Sequence, residues 1–354
     1  MNDYTEVDAT ELASRVHRRE VTPLELAECA IRTIEQVNPK LNAVVYRMYD
    51  VAATAAKAGL PKGPFHGVPI VIKDYNGALA GVPYTASSRF LDGYVPERDA
   101  EIMRRFRASG VSFVARTNLS EFAVLGTTEP EWRGATRNPW SLDHSTGGSS
   151  GGSAALVAAR AVPVAHGGDG GGSLRIPAAH CGLVGLKPTR GRVPLGPNQN
   201  EGWGGYVQWG VMTRTVRDTA GFLDVLAGPL AGDPYAAPPQ VRAYRDEVAR
   251  EPGTLRIAFT TRSLFGQRTD PDCIAAVDAT VKALSAAGHE VQEALPVFDA
   301  AELRRAYITQ IAVGTATNIE GWAKVLDRRP TPDAFEPGTW LLYQIGSVLT
   351  GVEL

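Results

Sequence analysis

Apolar residues recur along this chain in two rhythms, and each predicts a kind of element. In "VTPLELAECAIRTIEQVNP" they return every three to four positions. Leu24, Ala27, Ile31 and Ile34 then share one face of a helix, with Thr22 as its N-cap, Pro23 at its first position and Pro39 as its end. "GVPIVIKD" has the other rhythm: Val68, Ile70, Val71 and Ile72 form a near-continuous run after Gly67, which reads as a short buried strand ending on Lys73. "DAEIMRRFRASG" predicts a helix closed by Gly110, "VSFVART" a strand, "VPVA" a short strand and "AALVAARA" a helix. Further on, "TLRIAFT", "DCIAAVDATVKALSAAGH" and "EVQEA" repeat the order strand, helix, strand, so the expected class is α/β. From Gly228 to Pro252 the chain is proline-rich and weakly periodic, which suits a surface excursion (229–253) or a subdomain boundary.

Composition narrows the chemistry. Of 354 residues, 44% are hydrophobic and 21% charged, enough to bury the core of one large domain or two modest ones. The 36 Lys and Arg against 38 Asp and Glu include no basic block, so neither nucleic acid nor an anionic membrane surface is an expected partner, and a small molecule is. The start "MNDYTEVDATELASRV" lacks the basic and apolar regions of a signal peptide, and no later stretch is apolar enough to span a bilayer, so a cytoplasmic location is expected. Cys29, Cys181 and Cys273 are odd in number and far apart, which argues against a disulfide framework or a zinc ribbon; each reads as a small buried hydrophobe.

Two readings compete for Lys73. A lysine at the end of a strand ordinarily extends its amine to solvent. A lysine at the mouth of a buried strand can instead lose its hydration, which lowers its pKa and leaves a neutral amine able to act as a base towards a serine. Two loops carry candidate serines, "STGGSSGGSAA" and "HGGDGGGSLRIPAAHCG". Both are flanked by apolar helix and strand patterns, whereas a flexible Gly/Ser linker lies in polar surroundings between domains. In the second loop, consecutive side-chain-free amides before Ser173 can converge on a developing oxyanion.

With Lys73 in "GVPIVIKD", Ser149 in "GGSSGGSAA" and Ser173 in "DGGGSLRIPA", the two serines 24 residues apart, the sequence resembles the amidase signature family. "RTNLSEFA", "GATRNPW", "CGLVGLKPTRGRVP" and "ELAECAIRTIEQVNPKLNAVV" extend the resemblance over residues 8–300. It implies a mixed central β-sheet covered by helices on both faces, and an amidase that cleaves linear or cyclic carboxamides through a Ser-cisSer-Lys triad. Ser173 would be the nucleophile, Ser149 would relay the proton after a cis Gly148–Ser149 bond, and Lys73 would be the base. The amides of Gly170, Gly171, Gly172 and Ser173 would form the oxyanion hole, with no metal and no organic cofactor. Asp169 and Arg175 are expected to support the loop, and Leu125, Gly126 and Thr127 to line the substrate pocket.

Three features depart from the family pattern. Gly170 replaces a threonine, Ala115 and Arg116 replace Gly-Lys, and "WLLYQIGSVLTGVEL" breaks off where family members continue. The last predicts a truncated member, or a chain completed by a partner or a second copy of itself. The A subunit of glutamyl-tRNA amidotransferase is a less similar relative, with glutamine where Ile176 stands here. An α/β-hydrolase elbow at Gly147–Gly151 would make Ser149 the nucleophile with a later Asp and His; His166, His180 and His289 are the histidines that follow it, but the "HGG" that would serve as an oxyanion motif comes after the serine instead of before it. His166 could join His180 or Asp169 around a metal; without tight ligand spacing, loop-supporting hydrogen bonds are the expectation. An inactive chain that keeps these loops is the non-enzymatic alternative.

Overall fold

The computed structural model describes residues 3–197, 199 and 201–351. Six strands form one mixed sheet: β1 (Val44–Arg47), β2 (Pro69–Lys73), β3 (Ser112–Thr117), β4 (Val164–Asp169), β5 (Val184–Gly185) and β6 (Gln208–Thr213), in the spatial order β1-β3-β2-β4-β6-β5. β2 lies at the centre and runs parallel to both β3 and β4, while β1, β6 and β5 pair antiparallel with their neighbours. All residues of β2, β3, β4 and β6 are buried, as expected of strands covered by helices on both faces.

The helices are α1 (Ala9–His17), α2 (Pro23–Leu41), α3 (Tyr49–Ala58), α4 (Glu101–Ala108), α5 (Gly151–Ala158), α6 (Arg175–Cys181), α7 (Val216–Leu226), α8 (Tyr244–Glu247), α9 (Pro271–Ala286), α10 (Ala300–Leu326) and α11 (Pro337–Val348). α5 packs on β2 and β4, and α7 on β6 and α4. Backbone contacts divide the chain into two units. The larger holds the six-stranded sheet and comprises the residues up to Val248 together with those from Ile311 onward. The smaller, Ala249–Gln310, holds α9 and a parallel strand pair, β7 (Arg256–Phe259) and β8 (Glu290–Glu293). The division falls inside the proline-rich stretch, where α8 is the only helix among the described residues.

Local chemistry explains where elements start and stop, and where the pattern misled. α2 begins as expected, with a capping box between Thr22 and Glu25 and Pro23 in its first turn. Pro39 does not end it. The proline is accommodated in the last turn, and the helix runs to Leu41, where Asn42 turns left-handed and its amide donates to the Asn38 carbonyl. The Asn38 side chain then accepts the amides of Ala43 and Val44 and leads the chain into β1. The buried stripe is also rotated: Leu26, Ala27, Cys29, Ala30 and Ile34 face inward, leaving Leu24 and Ile31 half-buried. Ala27, Cys29 and Ala30 share that face with Leu26 and Ile34, and these small residues, whose apolar signal is weak, turn the stripe away from Leu24 and Ile31.

Two elements are longer than the apolar pattern suggests. α5 starts at Gly151, so the second Gly-Gly-Ser of the glycine loop forms its first turn. β4 continues through His166, Gly167, Gly168 and Asp169 instead of stopping at Ala165. Glycine belongs there because neighbours fill the space a side chain would take. A Cβ on Gly168 would lie 2.4 Å from Trp209, and one on Gly167 would lie 2.7 Å from Leu174 and 3.0 Å from the Ser150 hydroxyl. Cys29 and Cys181 are buried as expected, but Cys273 is exposed, on a helix with no buried residue.

Candidate active site

Lys73 is the last residue of the central strand, and its amine does not reach solvent. The side chain is 2% exposed, and its Nζ donates to Ser149 Oγ over 2.6 Å. Burial pulls the ammonium pKa down to about 7, against a smaller opposing pull from the Asp169 carboxylate. Of the two sequence readings, the desolvated lysine is the one the fold contains. Next to it, β3 supplies Thr117, whose hydroxyl pairs with Ser153 of α5, and Ser153 donates to the His166 carbonyl of β4. A chain of small hydroxyls thus ties α5 to the strands on either side of Lys73.

The loop carrying Ser149 is held from several directions. The Gly148–Ser149 peptide bond is cis. Thr128 Oγ1 donates to the Gly147 carbonyl at 3.0 Å and accepts the Gly151 amide at 3.0 Å, bracketing Ser149. Neither glycine beside it has room for a side chain: a Cβ on Gly148 would overlap the Thr127 backbone, and one on Gly151 would overlap the Thr128 and Thr146 hydroxyls. Ser149 is fully buried and no strand precedes it, so it does not stand at an exposed strand-to-helix elbow.

Ser173 lies in the turn between β4 and α6 and is half-buried, with Gly171 exposed beside it. Asp169, at the end of β4, organises this turn. Its carboxylate accepts the amide of Gly172 at 2.8 Å and that of Leu174 at 3.2 Å, and it is clamped by the Arg175 guanidinium at 2.9 and 2.8 Å. Although burial alone would raise it, the Arg175 hydrogen bond and charge hold the Asp169 pKa below the ordinary carboxylate value. The Gly172 amide is therefore directed at Asp169 rather than into the site, which leaves the amides of Gly170, Gly171 and Ser173 as candidate oxyanion donors. Trp203 and Val207 fill the space a side chain at Gly170 would need.

Sequence reasoning placed His166 among loop-supporting groups, and its ring does not act that way. It is fully buried, contacts the rings of Phe106 and Trp209, and neither ring nitrogen has a hydrogen-bond partner among the described residues. Burial, with Lys73 and Arg116 nearby, lowers its pKa to about 3, so it is neutral at physiological pH. No group of three His, Cys, Asp or Glu side chains suited to a metal occurs among the described residues. Arg116, one of the departures from the family pattern, is fully buried 3.6 Å from Asp74 and stands over the Tyr84 ring. Asp74 in turn accepts the Thr85 amide and hydroxyl. The pair anchors the chain immediately after Lys73, a role the sequence pattern did not reveal because an arginine inside a strand carries no periodic signal. Of the expected pocket residues, Leu125 and Gly126 are exposed, and the Thr127 backbone touches Gly148.

A six-stranded mixed sheet with helices on both faces, bearing a buried lysine hydrogen-bonded to a serine beside a glycine-lined serine loop, defines an α/β enzyme whose candidate chemistry rests on lysine and serine, the ring of the nearby His166 being neutral and without a hydrogen-bond partner among the described residues. Residues 25–335 match the amidase family, and the chain belongs to the amidase signature family, hydrolases that act on amides. It is 39% identical over 350 residues to the 6-aminohexanoate-cyclic-dimer hydrolase of Pseudomonas sp. (strain NK87), a match covering 97% of this chain and 71% of that protein. The hydrolase of the same name from Paenarthrobacter ureafaciens is 40% identical with the same coverage. A solved structure of 6-aminohexanoate cyclic dimer hydrolase complexed with substrate superimposes with a TM-score of 0.92 at 38% identity, covering 99% of this chain and 73% of that one. No helix among the described residues is long and apolar enough to cross a membrane.

Proposed function

We propose that this chain hydrolyses carboxamides through an acyl-enzyme on Ser173. The observation that carries the reading is the 2.6 Å hydrogen bond between the buried Lys73 amine and the buried Ser149 hydroxyl. An amine with a pKa of about 7 is substantially neutral at physiological pH and can accept a proton. Ser149, able to donate and accept at once, passes the proton of Ser173 to Lys73 as the Ser173 oxygen bonds to the carbonyl carbon. The amides of Gly170, Gly171 and Ser173 receive the negative charge on the carbonyl oxygen. Collapse breaks the C–N bond, and the proton returns through Ser149 to the departing amine. Water then attacks the ester by the same relay, releasing the acid and restoring Ser173.

The named relatives favour a linear or cyclic amide as substrate, and the exposure of Leu125 and Gly126 suits the wall that the sequence assigns to them together with Thr127. The test is mass spectrometry after exposure to a fluorophosphonate. An adduct on Ser173, lost together with amide hydrolysis in Ser173→Ala, is the expected result; an adduct on Ser149, or full amide turnover by Ser173→Ala, overturns the reading.

A further inference from the structure

The three loops that approach the site meet on one side chain. Ile176 stands in the first turn of α6, three residues after Ser173, and its amide donates to the Gly172 carbonyl. Its Cδ1 lies 2.6 Å from where a Cβ on Gly172 would be, its Cγ2 lies 2.9 Å from the corresponding point on Gly147, and its Cδ1 lies 3.8 Å from that on Gly126. Gly172 precedes Ser173, Gly147 lies two residues before Ser149, and Gly126 belongs to the expected pocket segment. Bare backbone in all three loops therefore packs around a single branched apolar side chain. Gly172, with φ of +131°, and Gly147, with φ of +67°, also hold conformations that disfavour any larger residue, so these two positions stay bare against Ile176. Ile176 itself is only half-buried, while the adjacent Arg175 is drawn to Asp169.

We propose that Ile176 determines acyl-chain preference, its side chain meeting the carbon chain next to the scissile carbonyl and favouring amides whose acyl chain is apolar. The inference rests on the acyl-enzyme reading above and names a class of substrate within it. A polar group seated against Ile176 would lose hydration without gaining a hydrogen bond there, whereas methylene groups gain apolar contact.

Pentanamide and succinamide have acyl chains of similar length, one ending in a methyl and the other in a neutral amide, and so isolate this difference. The unmodified chain is expected to turn over pentanamide with the higher kcat/KM. Ile176→Gln should reduce the pentanamide-to-succinamide ratio by about tenfold or more, and Ile176→Val, which preserves branching, should keep the preference. Fluorophosphonate labelling of Ser173 in each variant shows that the nucleophile is intact. A ratio unchanged in Ile176→Gln, or equal losses on both amides with Ser173 still labelled, overturns the role of Ile176 while the acyl-enzyme reading stands. If the unmodified chain hydrolyses neither amide and Ser173 takes no adduct, that reading falls and the inference with it.

Discussion

At the scale of single residues, the fold places a lysine where water cannot hydrate it, and this sets a pH response. The proposed base is the neutral amine, so kcat/KM should rise as pH increases through about 7 and level off above it. An unchanged rate from pH 5 to 9 would exclude Lys73 as the base. Lys73→Met should retain the apolar packing yet lose at least ~10² in rate. Its stability should also depend on pH in a defined direction. The folded state holds the lysine pKa at about 7, below that of an exposed lysine, so the unfolded chain binds the proton more readily. The unmodified protein is therefore penalised most below pH 7 and recovers as pH rises towards the exposed value, so Lys73→Met should gain more stability over it at pH 6 than at pH 10 in urea denaturation. Lys73 could be singled out in the sequence because a charge ended an otherwise apolar run. Arg116 and His166 are conspicuous in the sequence too, but their roles are not legible there, since these arise from what lies across the sheet.

At the scale of elements, the turn from β4 to α6 depends on one carboxylate. Asp169→Asn would set an amide NH₂ among the Gly172 and Leu174 donors and deprive Arg175 of its anion. A loss of about 1–3 kcal/mol in denaturant unfolding is expected, as for an unsatisfied buried polar group, with amide hydrolysis falling alongside it. Gly168→Ala tests the strand itself. The added methyl would meet Trp209 inside normal contact distance, at an overpacking cost of about 1–3 kcal/mol, and shortening the neighbour in a Gly168→Ala/Trp209→Phe double variant should recover part of it. These glycines show why the end of β4 was hidden in the sequence: they look like loop residues, and only the indole across the ladder makes them strand residues. Pro39 in α2 is the converse, a breaker by type that the last helical turn accommodates.

Across the whole molecule, the alternation of strands and helices disclosed the α/β class, and the linked motifs disclosed the family; the order of the strands is not written in any local pattern. β2 becomes central because β3 and β4, which follow it at distances of several tens of residues, pair on its two sides. That topology has a consequence for how the protein comes into being. Lys73 and Ser149, 76 residues apart, meet only after both crossovers have closed, and long-range pairings of this kind form slowly because chain entropy is spent before contacts repay it. Helices such as α2, with its own cap, can form far earlier. During refolding from denaturant, reactivity of Ser173 towards a fluorophosphonate should therefore lag behind the recovery of helical circular dichroism, making the nucleophile a clock for the last stage of assembly.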